Sequence, residues 1–375
     1  MQGKKQIGIM TFWDCPNFGS FLQAYALRAK IEKLFPTADV RQIAYSNKRH
    51  MDVYYGLFRK ALFRYYLLRP GFYLDGFDRI KKSKRIKEFR KFRNNYSQYI
   101  KHTETLTKKE LKKQKFDTLV MGSDIIWDYS VSFFDMDEFL FGEGITADNK
   151  VAYAASFGTV PRKNDHPRYV IDAIRNMDSI SVRDENSSDI VNDISGHKAP
   201  VVLDPTLLWN FKNDKNIKCP EVDYKYVAVY GSYFTDNQIN GLKDYCEQNN
   251  YKILCLDTGM DTCEWCDVFI DASTITPFEW CGYILNAELL MTSTFHGFLF
   301  GLIFEKRIIF NATDFMKAKL TDFTKDLNLY DKIVLENRFE NQINLMWDYD
   351  YINSIIAEKR TASLEYLKNN IFKEG

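Results

Sequence analysis

The stretch ELLMTSTFHGFLFGLIFEKRIIF, residues 288–310, decides the fold. Leu289-Leu290-Met291 is a short apolar run without alternation, the pattern of a strand buried on both faces of a parallel sheet. Thr292-Ser293-Thr294 follows, with hydroxyls suited to capping a helix start. The spacing predicts an apolar helix over 298–304, stopped by Glu305-Lys306-Arg307, and Ile308-Ile309-Phe310 as the next buried strand. The result is a βαβ unit whose turn carries His296 and Gly297. A helix N-terminus presents free N–H groups and a positive dipole end, so an anion would bind there beside an imidazole. The dipole disfavours imidazolium, and a bound phosphate or carboxylate favours it again. On spacing alone, a lone histidine is more often structural.

Working outward, Gln6–Met10 is a first buried strand. The loop 11–19 is rich in breakers, 20–34 is a helix with its apolar face at Leu22, Ala26, Leu27, Ile31 and Leu34, and 40–45 is a second strand. Strand, glycine-containing loop, helix and strand open a doubly wound sheet. The loop lacks GxGxxG, so it carries no dinucleotide claim. It does leave Asn17, Gly19 and Ser20 near a helix N-terminus at the carboxyl edge of a strand, where ligands bind in open α/β sheets.

Four further strands end in small, polar or charged residues: 116–121 in Gly122-Ser123-Asp124, 150–155 in Ser156-Phe157-Gly158, 179–182 in Arg183-Asp184, and 201–203 in Asp204-Pro205. In a parallel sheet these ends share one edge, facing one cleft. An arginine there matches phosphate or carboxylate through its planar fork. After a polar linker at 210–223 a second strand–helix series begins, and 349–371 is a long terminal helix. The expected division is 1–208, 209–347 and a terminal helix over 348–375.

The chain has 375 residues, a formal charge of +1 and 45% hydrophobic content, which suits two globular cores and gives no footprint for nucleic acid. Aromatic residues make up 15%, a share suited to broad apolar surfaces or stacking on sugar rings. Met1 to Lys5 leads directly into a strand, and seven cysteines without a secretory leader point to a reducing cytoplasm. Cys263 and Cys266 form a lone CxxC with neither a second pair for zinc nor a following thioredoxin-type helix, so no metal site is expected. Residues 51–115 change texture to aromatic and basic, and read as helices inserted into the first domain. They are either a solvated helical face or a surface touching anionic lipid, with Lys81, Lys82, Lys84, Arg85 and Lys87 as its charges.

These residues carry a family resemblance. Asn17-Phe18-Gly19-Ser20-Phe21-Leu22-Gln23, Met121-Gly122-Ser123-Asp124 with Trp127, Ala152 to Gly158, Ser181-Val182-Arg183-Asp184, Leu203-Asp204-Pro205-Thr206 and Thr292 to Gly297 together resemble the polysaccharide pyruvyl transferase family. The resemblance implies a GT-B-like fold, two Rossmann-like domains facing a cleft. It also implies transfer of a pyruvyl group from phosphoenolpyruvate to a sugar or lipid-linked oligosaccharide, giving a cyclic ketal without a further cofactor. In that chemistry His296 is the acid, Arg183 the anion clamp, and Asp124 and Asp204 serve the hydroxyl side. Asn17, Gly19, Ser20, Gln23, Ser123, Ser156, Ser293, Thr294 and Gly297 are expected to bind substrate. Family members often carry arginine two residues before the histidine. Here that position is Thr294, and Lys317 or Lys319 is the expected substitute cation. A GT-B glycosyltransferase using a nucleotide sugar, with loops Gly231-Ser232 and Asp257-Thr258-Gly259, and a non-catalytic binding protein of a polysaccharide cluster are the alternatives.

Overall fold

A computed structural model describes residues 4–15, 17–45, 96–131, 137–162, 165–257 and 265–372. It contains two parallel five-stranded sheets. The first holds β1 (Gln6–Met10), β2 (Asp39–Gln42), β3 (Lys115–Met121), β4 (Thr146–Ala155) and β5 (Ser179–Val182) in the order β2-β1-β3-β4-β5. The second holds β6 (Tyr226–Tyr230), β7 (Lys252–Asp257), β8 (Val268–Asp271), β9 (Leu289–Thr292) and β10 (Arg307–Phe310) in the order β10-β9-β6-β7-β8. Central strands such as β6 and β9 are buried at every position, as a sheet covered on both faces requires. These are two Rossmann-like domains facing a cleft, in a GT-B-like arrangement. Each sheet reverses its strand order at one place, between β1 and β3 and between β6 and β9. Crevices at such reversals, beyond the carboxyl ends of the strands, are where open α/β sheets bind ligands.

The helices are α1 (Phe18–Leu34), α2 (Lys108–Leu111), α3 (Arg168–Arg175), α4 (Glu185–Ser195), α5 (Asp236–Asn249), α6 (Pro277–Asn286), α7 (Phe295–Ile303), α8 (Asp314–Asp326), α9 (Phe339–Ile343) and α10 (Tyr349–Asn370). Several boundaries differ from expectation. Helix α7 starts at Phe295, three residues early, because the Thr294 hydroxyl accepts from the Gly297 N–H at 3.0 Å and caps it. His296 therefore lies in the first turn of a helix rather than before it. Helix α1 likewise begins at Phe18, capped by the Asn17 side chain on Ser20 N–H. Residues 201–203 form no strand: only a single bridge joins Val201 to Val182. Most of the basic, aromatic stretch, including all five of its named cations, lies outside the described residues, as does Cys263.

Helix α1 is buried from Phe18 through Ala29 without a break. One side packs on the first sheet through Leu27 and Ile31. Phe18, Phe21 and Tyr25 meet Phe278 and Trp280 of α6, so another side seals the first domain to the second. Helix α10 runs back across both domains. Its first half holds the second through Asn353–Glu305 and Lys359–Asp326 contacts. Its end reaches the first sheet: the Ile371 carbonyl accepts from the Thr118 hydroxyl (2.6 Å) and Asn149 amide (3.0 Å), and Tyr366 donates to the Ala152 carbonyl (3.0 Å).

Candidate active site

The site is assembled from the ends of β3 and β9 at the two order reversals, the end of the edge strand β5, and the turn at Asp204. After β3 the chain places Asp124 at φ +75°, a backbone conformation that residues other than glycine rarely adopt. Its carboxylate accepts from Ser20 Oγ of α1 at 2.9 Å and from the Ile125 N–H at 2.9 Å. Gln23 and Ser123 lock this arrangement. Ser123 Oγ donates to Gln23 Oε1 at 2.8 Å, and the Gln23 amide donates to the Phe12 and Ser20 carbonyls. Gln23 and Ser123 are thus committed to shaping the loops, as is Ser156, whose hydroxyl donates to Asp184 at 2.6 Å.

Arg183 follows β5 and is 5% exposed. Its two outer nitrogens reach Asp204 at 2.9 Å and Asp124 at 3.4 Å, and its guanidinium lies 4.4 Å from the centre of the Phe295 ring. Asp204 also accepts from the backbone N–H (3.0 Å) and hydroxyl (2.7 Å) of Thr206. Burial by itself would raise both carboxyls. The cations and N–H donors outweigh it: Arg183, His296 and Lys319 lower Asp124, and His296, Arg183 and the Thr206 N–H hold Asp204 well below the usual carboxylate range.

His296 stands where the two domains touch. Its imidazole is so close to α1 that a Cβ added to Gly19 would lie 2.2 Å from Nδ1. Nε2 is 3.7 Å from Asp204 Oδ2, beyond hydrogen-bond range, and this buried nitrogen has no hydrogen-bond partner among the described residues. Gly19→Ala is accordingly expected to force α1 and α7 apart. Activity should fall by roughly the 10²-fold that a 1 Å misplacement can cost, with folding retained by circular dichroism. Normal turnover in that variant would show that the contact is not needed.

A cavity of about 240 Å³ opens beside this cluster, walled by Arg183, Asp204, Phe295 and Lys319 among others. His296 is not among its walls, but its Nε2 lies 3.7 Å from Asp204, which is. Lys319 projects from α8 of the second domain. Burial and the neighbouring Arg183 push its ammonium down to about 8, against the pull of Asp124, Asp128 and Asp184. Lys317 does not join it: it is 42% exposed and pairs with Asp314 on its own helix. Ser293 accepts from the Ser232 N–H at 2.9 Å, holding the loop after β6, where Gly231 at φ +124° approaches too closely for a side chain. Phe295 and Thr206 are the members that sequence reasoning missed. Phe295 reads as one more apolar helix residue, and only its position under Arg183 gives it a role.

A family model described as polysaccharide pyruvyl transferase matches residues 17–314, which include Asp124, Arg183, Asp204 and His296 but stop short of Lys319. The chain belongs to the polysaccharide pyruvyl transferase family. No curated protein matches it. Among solved structures, it is similar to a UDP-GlcNAc 2-epimerase from Methanocaldococcus jannaschii, with 14% identity over 97% of this chain and 99% of that one and a TM-score of 0.49. It is also similar to the E. coli heptosyltransferase WaaC with ADP, with 9% identity over 95% and 99% of the chains and a TM-score of 0.38. Polysaccharide pyruvyl transferase membership makes the chain a transferase with a sugar or polysaccharide acceptor. No described helix is long and apolar enough to cross a membrane.

Proposed function

We propose that this transferase moves the pyruvyl group of phosphoenolpyruvate onto two hydroxyls of a sugar, in a surface polysaccharide or its lipid-linked precursor. The observation that carries this reading is the buried, hydrogen-bond-free Nε2 of His296, set against two ionised carboxylates beside a cavity lined by Arg183 and Lys319 among other cations. His296 protonates the methylene carbon of the enol phosphate, which makes C2 electrophilic. The first sugar hydroxyl adds to C2 and gives its proton to a carboxylate, Asp204 or Asp124. The C2–O bond to phosphate then breaks, and the second hydroxyl closes the ketal. One hydroxyl proton replaces the one His296 gave; the other leaves with phosphate.

Arg183 is already held by two carboxylates, so its part is to keep them ionised and in place while its remaining edge faces the donor. Lys319 supplies the positive charge that Thr294 cannot. Its ammonium is charged below about pH 8 and neutral above it. The KM for phosphoenolpyruvate is therefore expected to rise as pH passes about 8, and Lys319→Gln should raise KM at pH 7 and flatten that rise. A donor KM that is independent of Lys319 would place the donor elsewhere. The deciding experiment is phosphate release from phosphoenolpyruvate across an acceptor panel, with the ketal identified by mass. Tight binding of a nucleotide sugar with no such release would favour glycosyl transfer instead.

A further inference from the structure

A second and larger cavity, about 720 Å³, lies between the end of α1, residues 207–215 and α10. It sits at the carboxyl end of α1, about 20 Å along the helix from Asn17 at 1.5 Å per residue. Lys30, Lys33, Lys215 and Arg360 line it, together with the carboxylates Asp214 and Glu305. Both carboxylates already have partners within the groove. Asp214 accepts from Tyr25 (2.9 Å) and Trp209 (2.7 Å), and Glu305 pairs with Lys212 at 2.6 Å. The four cations have no carboxylate partner among the described residues. Lys30 lies over the Trp209 ring at 5.7 Å, and Arg360 uses only Nε, donating to the Leu207 carbonyl at 2.7 Å.

These cations repel one another. Burial lowers both Lys30 and Arg360, and Lys33 and Arg360 lower Lys30 further. The dipole of α1 accounts for Lys33, which sits in its last turn. It does not account for Arg360, in the middle of α10, or for Lys215, in the linker between the domains. The chain carries a formal charge of only +1, so the local surplus is not a general basicity. An anion of two or more charges would relieve the repulsion and match the free edge of the guanidinium.

We propose that this groove is a second binding site, for a phosphate or diphosphate group. The proposal does not rest on the pyruvyl reading. Leu207 also borders the catalytic cavity, three residues from Asp204, so a ligand gripping Arg360 would adjoin the turn that holds that carboxylate.

Titration calorimetry of the full chain at low ionic strength with inorganic pyrophosphate tests it. Lys319→Gln serves as the background, to silence the catalytic cavity. Binding is expected, weakened by added salt, and weakened roughly fivefold for each lysine removed in Lys30→Ala and Lys30→Ala/Lys33→Ala. Made with Lys319 intact, both variants should keep normal transfer to a soluble acceptor that carries no phosphate. A short prenyl diphosphate distinguishes the source of the group. Tighter binding than pyrophosphate places an apolar tail on the groove's Leu208, Ile303 and Ile356, whereas equal binding indicates a soluble phosphate compound. No pyrophosphate binding, or unchanged affinity in the double lysine variant, overturns the site.

Discussion

Replacement of His296 by glutamine is expected to lower pyruvyl transfer by about 10²–10⁴-fold, the usual worth of a positioned general acid. Glutamine preserves bulk and polarity where the domains meet, so the comparison is not confounded by a hole at the seam. Alanine should be as inactive and somewhat less stable, because His296 is only 8% exposed and packs against Gly19 and the Phe295 ring. Initial rates of phosphate release, read beside a thermal melt, separate the two effects. A folded glutamine variant with near-normal turnover would remove His296 from the chemistry and leave it as a packing residue.

The second large effect concerns Arg183. Arg183→Met keeps most of the volume and deletes the charge, leaving Asp124 and Asp204 buried together. Breaking a buried pair by removing one partner costs about 3–5 kcal/mol, most of it the exposed cost of the charge left behind. Denaturant unfolding at pH 7 should show a loss of that order, and adding Asp204→Asn should recover part of it. The pH dependence has a definite sign. Both carboxyls are lowered in the folded chain, so their contribution is complete above the ordinary value of 3.8 and is lost as pH falls through the lowered values. The gap between wild type and Arg183→Met should therefore narrow towards acid. A loss under about 1 kcal/mol at pH 7, the worth of an exposed pair, would mean that solvent already screens the cluster.

Much of the fold was legible because parallel strands advertise themselves. Leu289-Leu290-Met291 and Ile308-Ile309-Phe310 are apolar without alternation, and both are strands. Strand ends in a parallel sheet must share an edge, so the meeting of Asp124 and Arg183 could be anticipated from topology. Helix α1 was harder. Its stripe at Leu22, Ala26, Leu27 and Ile31 shows one packing face, but Phe21 and Tyr25 are buried by another domain, and no local periodicity records that. The choice between Lys317 and Lys319 was half legible. Residues two apart on a helix point about 200° apart, so both could not face the cavity; which one does depends on how α8 is docked. Residues 201–203 have a strand's composition, yet the chain turns away after one bridge because Asp204 folds onto Thr206. Asp204 as the second partner of Arg183 was beyond reach, since no strand precedes it and its turn onto Thr206 sets its place.

The return of α10 to the first sheet sets an order of events at the ribosome. Domains commonly fold as they emerge, the amino-terminal one first. Here the side chains of Thr118 and Asn149 bond to the backbone around Ile371, and Ser179 bonds to the Asn370 side chain. The backbone N–H of Leu203, beside Asp204, donates to the Ser363 hydroxyl. These buried polar groups have to wait, hydrated or unpaired, until the whole second domain has been synthesised. The nascent first domain is thus held short of completion, and the turn at Asp204 is finished only when both halves of the chain are present to be joined.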